Sequence, residues 1–180
     1  MKFKKTHLIL LLILVVSFFL RFYRLDQNLP EIYADETGHY IHLIEFSIYR
    51  RIFSFTWFLG LNPLGVRAAA ALYSSLISLA IFLLAGRLSK NQAVPLVAAL
   101  LSAFLPWTFL IGRIGHTHIP LLVITSTLSA YFFLGKSKSS YLLSLLFLLV
   151  SAYLYQSALV IAPFVFLLTG YYLYRSLKPK

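Results

Sequence analysis

Long apolar runs make up most of this sequence, and only short polar stretches and one longer polar segment separate them. A helix needs about 17 to 25 apolar residues to cross the hydrocarbon core of a bilayer, where only helices or closed barrels satisfy their backbone groups. The runs here are too long and unbroken for barrel strands, and only 12% of the residues are charged. The sequence therefore predicts an all-α, multi-pass membrane protein.

The apolar runs predict a transmembrane helix bundle of about six spans, within a single membrane domain that covers residues 1–180. The predicted spans are 7–22, 67–87, 93–111, 118–135, 140–155 and 157–174, and residues 23–66 form a loop between the first two. We expect the last two spans to form either a tight hairpin or one helix broken at Pro163. No small-residue cleavage site follows the first run, so we expect that run to be retained as a helix.

The basic residues lie at the ends of the apolar runs, a pattern typical of membrane orientation rather than of nucleic-acid binding. With the N-terminus in the cytoplasm, every lysine falls on the cytoplasmic side, as the positive-inside rule expects. The basic residues left on the outer side are all arginines: Arg21, Arg24, Arg50, Arg51, Arg67 and Arg113. Arginine binds phosphate through paired hydrogen bonds, so the pattern indicates an outer site for a phosphorylated ligand; contact with lipid headgroups is the alternative for each arginine alone.

The acidic residues are confined to the loop between the first two spans. They are Asp26, Glu31, Asp35, Glu36 and Glu45. A carboxylate near a bilayer is costly to keep charged, so this loop is the candidate functional site. Helical spacing of apolar residues over 35–58 predicts an interfacial helix on the outer surface. Asp35 and Glu36 then either cap that helix or supply a general base for catalysis.

His39 and His42 follow Asp35 on the same predicted helical face and resemble part of a metal site. No fixed ligand spacing is matched, and histidines at an interface are also ordinary polar surface residues. A divalent cation, Mg²⁺ or Mn²⁺, held jointly by an acid and a substrate phosphate is a further alternative.

A second polar loop, at residues 112–118, returns to the outer side and faces the acids. We expect Arg113 to neutralise a substrate phosphate, with His116 and His118 as hydrogen-bond donors. The alternative is that Arg113 anchors a helix end. Tyr153 and Gln156 reach the same side, where they either line a sugar pocket or belong to the aromatic belt of the membrane interface.

Several short motifs follow one another in an informative order. They are Arg24-Leu25, Pro30, Asp35-Glu36, Tyr40, the Asn-Pro-Leu-Gly-Val-Arg run at 62–67, and Leu105-Pro106-Trp107 before Arg113. This order resembles that of the GT-C glycosyltransferases, in particular the group of dolichyl-phosphate-mannose protein mannosyltransferases and lipid A aminoarabinose transferases. The resemblance spans nearly all of this chain but only the N-terminal part of a typical member. His116 and His118 depart from it, because family members often have a second arginine and an aspartate near those places.

The resemblance implies an inverting transfer of a sugar from a polyprenyl-phosphate donor to a protein, lipid or glycan acceptor. It implies that Asp35, with Glu36 beside it, is the base, and that arginines or a divalent cation stabilise the departing phosphate. The site would lie on the outer face of a plasma or inner membrane. The alternative is a non-catalytic relative that binds polyprenyl phosphate, or a subunit whose missing helices come from a partner chain.

Overall fold

The computed structural model describes residues 5–25, 56–59, 63–154 and 158–177. Within these ranges the chain is helical apart from short connecting turns, and it contains no strand. The helices are α1 Lys5–Phe22, α2 Pro63–Leu88, α3 Ala93–Phe104, α4 Pro106–Ile111, α5 His118–Phe133, α6 Lys138–Leu154 and α7 Ala158–Leu177, and a single helical turn at Thr56–Leu59 precedes α2. The all-α prediction is therefore confirmed for this part of the chain.

Two of the described helices are long and apolar enough to cross a membrane, namely α1 and the Arg67–Leu88 part of α2. Helices α3, α5 and α6 are also apolar but shorter. Large apolar side chains on α1, α3, α6 and α7 point away from the rest of the protein, as Leu12, Leu101, Leu146 and Leu167 do. Exposed apolar surface on this scale is typical of a membrane-facing protein. The sequence predicts six spans, whereas two of the described helices meet the length requirement.

The third predicted span, 93–111, is divided in the structure. Helix α3 ends at Phe104, Leu105 has a ψ of 125°, and α4 begins at Pro106. Proline has no N–H for the carbonyl four residues earlier, and its ring disfavours the helical conformation of the preceding residue. The apolar run therefore forms two helices instead of one.

The start of α2 and the pairing of the last two helices also refine the predicted boundaries. Helix α2 begins at Pro63, four residues before the predicted span, because proline suits the first position of a helix. Helix α7 contains Pro163 without ending there and packs against α6. The hairpin alternative is therefore the one that the described residues support.

Helix α2 is the centre of the bundle and contacts α1, α3, α4 and α5. Small side chains form most of its packed surface, and those of Ala68, Ala69, Ala70, Ala71, Ser74, Ser75 and Ser78 are all buried. Small residues let helix backbones approach closely, which is how helices associate in lipid. Helix α1 also contacts α3, and on the other side of α2 the order of packing is α5, α6 and α7.

Buried hydroxyl groups join α5 to α6. Ser129 Oγ donates to the carbonyl oxygen of Ser144, and Ser144 Oγ donates to that of Ser129, both at 2.9 Å. Further along the pair, Ser151 Oγ donates to Thr125 Oγ1 at 2.8 Å. These bonds define the antiparallel register of the two helices, and bonds of this kind contribute about 0.6 to 1.7 kcal/mol each.

Candidate functional site

Three buried arginines lie at the end of the bundle where α1 ends, α2 begins and α4 turns into α5. Arg21, Arg67 and Arg113 have exposed fractions of 0%, 1% and 6%. We call these three residues the arginine cluster and this end of the bundle the arginine end. Because a buried charge is costly without partners, the contacts of each guanidinium show how the protein accommodates it.

Arg113 binds carbonyl groups in the last turn of α1 and in the turn that follows it. Its Nη1 donates to the carbonyl oxygens of Leu20 and Tyr23, both at 3.0 Å, and its Nη2 donates to that of Arg24 at 3.3 Å. The last carbonyls of a helix have no partner within the helix and carry the negative end of its dipole. Arg113 therefore anchors a helix end, which is the alternative that the sequence left open beside phosphate binding.

Arg21 binds the break between α3 and α4. Its Nη2 donates to the carbonyl oxygen of Ala103 at 3.0 Å, while Thr108 Oγ1 donates to that of Ser102 at 2.7 Å. The break at Pro106 interrupts the helical hydrogen bonds of both carbonyls, and an unpaired carbonyl inside an apolar bundle is costly. Arg21 and Thr108 thus allow the chain to break here without leaving these oxygens unsatisfied.

Arg67 approaches the same helix end from α2, where its Nη1 donates to the carbonyl oxygen of Leu25 at 3.4 Å. Burial, and then the positive charge of Arg67, lower the pKa of Arg113. The ring centroid of Phe109 lies 5.5 Å from Cζ of Arg113 and 5.9 Å from Cζ of Arg21, within the range of cation–π attraction. Arg67 and Arg113 therefore repel each other, and a bound anion would relieve that repulsion.

Arg24 lies at the surface of the same end. Its backbone is left-handed, with a φ of 48°, a conformation that usually ends a helix at glycine or asparagine. This turn directs Leu25 into the bundle, where it packs against Ala68 and Ala71. The guanidinium of Arg24 is exposed and lies over the ring of Tyr23, with Cζ 5.5 Å from the ring centroid.

All five acidic residues lie in the chain segment between Leu25 and the helical turn at Thr56–Leu59. Asp35 and Glu36, as well as His39 and His42, fall outside the described residues. The structure describes the residues on both sides of that segment. The Leu25 carbonyl accepts a hydrogen bond from Arg67 of the arginine cluster, and the Thr56–Leu59 turn contacts α2. The segment that carries every acid of the chain is therefore joined to the arginine end at Leu25.

The two histidines of the second predicted loop lie beside each other, since the ring centroids of His116 and His118 are 5.3 Å apart. Tyr153 is exposed on α6, at the same end of the bundle as His118, because the bond between Thr125 and Ser151 aligns the two helices antiparallel. Gln156 lies outside the described residues. Within the described ranges no group of three or more metal-ligating side chains occurs.

An apolar groove of about 540 Å³ runs between α1 and α2 and ends at the arginine end. Its walls include Leu14 and Phe18 of α1 and Leu72 of α2, and Tyr23 forms part of its lining. Because the guanidinium of Arg24 lies over the Tyr23 ring, the groove has a positive charge at that end. A hydrocarbon chain with an anionic head matches this combination of surfaces.

The sequence motifs missed the residues that build the cluster around Arg113. The sequence indicated Arg21 only as one of the outer arginines, and it did not predict that Thr108 or Phe109 belongs to the site. The available signals were an arginine four residues after Ser17 in the first apolar run, and a hydroxyl two residues after a helix-breaking proline. No protein-family model, curated protein or solved structure matches this chain.

Proposed function

We propose that this chain is a GT-C-type membrane glycosyltransferase that transfers a sugar from a polyprenyl-phosphate donor to an acceptor. The observation that carries the proposal is the arginine cluster, whose three buried guanidinium groups lie beside Leu25, the residue that precedes the acid-bearing segment in the sequence. A departing lipid phosphate requires positive charge, and the attacking hydroxyl requires an acid residue in its ionised form to accept its proton. The arginine end offers the positive charge, and the adjoining segment contains the acidic residues.

The proposed roles follow the exposure and contacts of the residues. Asp35 acts as general base with Glu36 beside it, and the exposed guanidinium of Arg24 meets the phosphate directly. Arg67 and Arg113 supply positive potential from within the bundle, because main-chain carbonyls already bind their terminal nitrogens. The groove along α1 and α2 takes the first part of the polyprenyl chain.

The remaining predicted site residues belong to the sugar and acceptor side of this proposal. His116, His118, Tyr153 and Gln156 bind the sugar or the acceptor. Mg²⁺ or Mn²⁺ is the divalent cation that an acid and the donor phosphate would share.

The proposed orientation has six spans, a cytoplasmic N-terminus and the arginine end on the outer face of a plasma or inner membrane. It is supported by the location of Lys5, Arg87 and Lys90 at the opposite end of α1 and α2. Lysine is concentrated on the cytoplasmic side of membrane proteins, so this end is the inner one.

Replacing Asp35 tests the catalytic assignment. We expect Asp35→Asn to lower sugar transfer in proteoliposomes by a factor of about 10² to 10⁴, the usual contribution of a general base. Asp26→Asn makes the same chemical change within the same segment and is expected to keep activity within about twofold, since Asp26 has no proposed role. Full turnover by Asp35→Asn, with normal membrane insertion, would contradict the assignment.

A second candidate function is a non-catalytic relative that binds polyprenyl phosphate or completes a larger complex. The contacts of Arg21 and Arg113 with main-chain carbonyls favour it, because they also explain the cluster as a purely structural device. Purification from native membranes separates the two functions. A stoichiometric partner chain, together with donor binding but no turnover by the isolated chain, would support the second.

A further inference from the structure

We infer that a cavity at the end of the bundle opposite the arginine cluster binds the phosphate headgroup of an anionic membrane phospholipid. The cavity has a volume of about 580 Å³ and lies between the start of α1, the end of α2 and the start of α3. Basic side chains line it, among them Arg87 and Lys90, and we call it the basic cavity. The inference does not depend on the proposed transferase activity.

The walls of the basic cavity are joined by hydrogen bonds. Thr6 Oγ1 at the start of α1 donates to Gln92 Oε1 at 3.0 Å, which connects α1 to the turn between α2 and α3. Within that turn the Asn91 N–H donates to Ser89 Oγ at 3.2 Å, and the Ala93 N–H donates to Asn91 Oδ1 at 3.0 Å. Hydroxyl and amide groups therefore lie beside the cations, as hydrogen-bonding recognition of a phosphate ester requires.

The charge of the basic cavity is entirely positive within the described part of the chain, which contains no acidic residue. Arg87 is held at one side by Tyr131 of α5, with its Cζ 4.4 Å from the ring centroid. Lys90 lies three residues further along, in the turn, and is exposed. A bound anion is therefore the counter-charge that fits the cavity.

The surroundings of the cavity favour a lipid over a soluble phosphate. Phe82 and Pro95 contribute apolar surface to its lining. The exposed side chain of Leu88 also lines it, and outside it the side chains of Leu8 and Val94 are exposed. A phospholipid places its headgroup among the cations and its acyl chains on these apolar side chains. Basic cavities between membrane helices on the cytoplasmic side are known to bind anionic headgroups in this way.

Native mass spectrometry of the purified full chain in dodecyl maltoside tests the inference. The chain is titrated with dioleoyl phosphatidylglycerol and, in parallel, with dioleoyl phosphatidylcholine, which has the same acyl chains without the net charge. We expect a one-to-one adduct with phosphatidylglycerol and at least about tenfold weaker binding of phosphatidylcholine. Similar affinity for the two lipids would overturn the inference.

Charge-neutralising variants locate the site. Lys90→Gln is expected to weaken phosphatidylglycerol binding about fivefold, and Arg87→Gln with Lys90→Gln about 25-fold, from the usual contribution of a basic side chain near lipid phosphate. The matched control is Lys136→Gln with Lys138→Gln, which removes the same charge at the same end but outside the cavity lining. That control is expected to keep the affinity within about twofold.

Two further results would contradict the assignment. Equal weakening by the two double variants would mean that diffuse charge, and not the cavity, attracts the lipid. Displacement of phosphatidylglycerol by equimolar glycerol 3-phosphate would mean that the occupant is a soluble phosphate. Because Arg87 contacts Tyr131, the thermal unfolding of each variant is measured alongside, and Lys90→Gln alone decides the outcome if the double variant unfolds early.

Discussion

Replacing Gly112 with alanine is expected to destabilise the bundle, although alanine is the better residue for the local backbone. Gly112 has a φ of −67° and a ψ of −10°, which suit any residue. An alanine Cβ at this position would overlap Ser74 Oγ, lie 2.7 Å from Ser74 Cβ and lie 3.3 Å from Arg21 Cδ. Ser74 Cβ is fixed to the backbone of α2, so the turn after α4 and α2 have to move apart.

The expected magnitude combines two opposing effects. Overpacking of a well-packed site destabilises by about 1 to 3 kcal/mol. Alanine recovers up to about 1 kcal/mol relative to glycine in helical conformation. With that full recovery, the net loss in the free energy of unfolding is about 0 to 2 kcal/mol, and displacement of Arg21 adds to it.

The assay is unfolding of the purified chain in mixed micelles by sodium dodecyl sulfate, followed by far-ultraviolet circular dichroism. Gly170→Ala is the control, because a Cβ there meets nothing within 4 Å and alanine should stabilise α7 by about 0.5 to 1 kcal/mol. Ser74→Gly removes both overlapping atoms, so in the Gly112→Ala background it should restore at least about 1 kcal/mol relative to additivity. Stabilisation by Gly112→Ala, or strict additivity with Ser74→Gly, would refute the close approach of the turn to α2.

Three other sets of substitutions test contacts elsewhere in the bundle by the same titration. Ser129→Ala and Ser144→Ala should each lower the free energy of unfolding by about 1 kcal/mol, and the double variant should lose less than their sum, because the two hydroxyl oxygens also lie 3.2 Å apart and contact each other directly. An additive result would contradict that contact between the hydroxyls. Thr108→Val should lower the free energy of unfolding by about 1 to 3 kcal/mol, because it leaves the Ser102 carbonyl at the helix break unpaired. The control Ser126→Ala removes an exposed hydroxyl and should change the free energy of unfolding little. Arg24→Gly should gain about 1 kcal/mol by removing the strain of a φ of 48°; a loss would mean that the Arg24 side chain stabilises the turn.

Much of the helical arrangement follows from the sequence because each apolar run is long and ends at polar or basic residues. The break at Leu105 was missed because the run stays apolar across Pro106, so hydropathy contains no sign of it. The proline itself was a sufficient local signal for a helix end. The side chains that satisfy the break, Arg21 and Thr108, come from elsewhere in the chain, and only packing brings them together.

The arginines of the candidate site show a similar division. Their location at one end was predictable from charge patterning, since Arg24, Arg67 and Arg113 all follow or precede apolar runs. The hydrogen-bond partners of these arginines were not predictable, because they are main-chain carbonyls, which every sequence has and which leave no residue-specific pattern. Arg113 is the clearest case, since its anchoring role depends on where α1 ends relative to the turn before α5.

The most direct test of the proposed function is donor cleavage by the wild-type chain reconstituted alone in proteoliposomes. The measured quantity is the polyprenyl phosphate released from radiolabelled polyprenyl-phosphate sugars in the presence of candidate acceptors. The proposal predicts release that depends on Asp35 and is lost in Asp35→Asn. Donor binding without release by the wild-type chain, under conditions where the protein is folded, would contradict it.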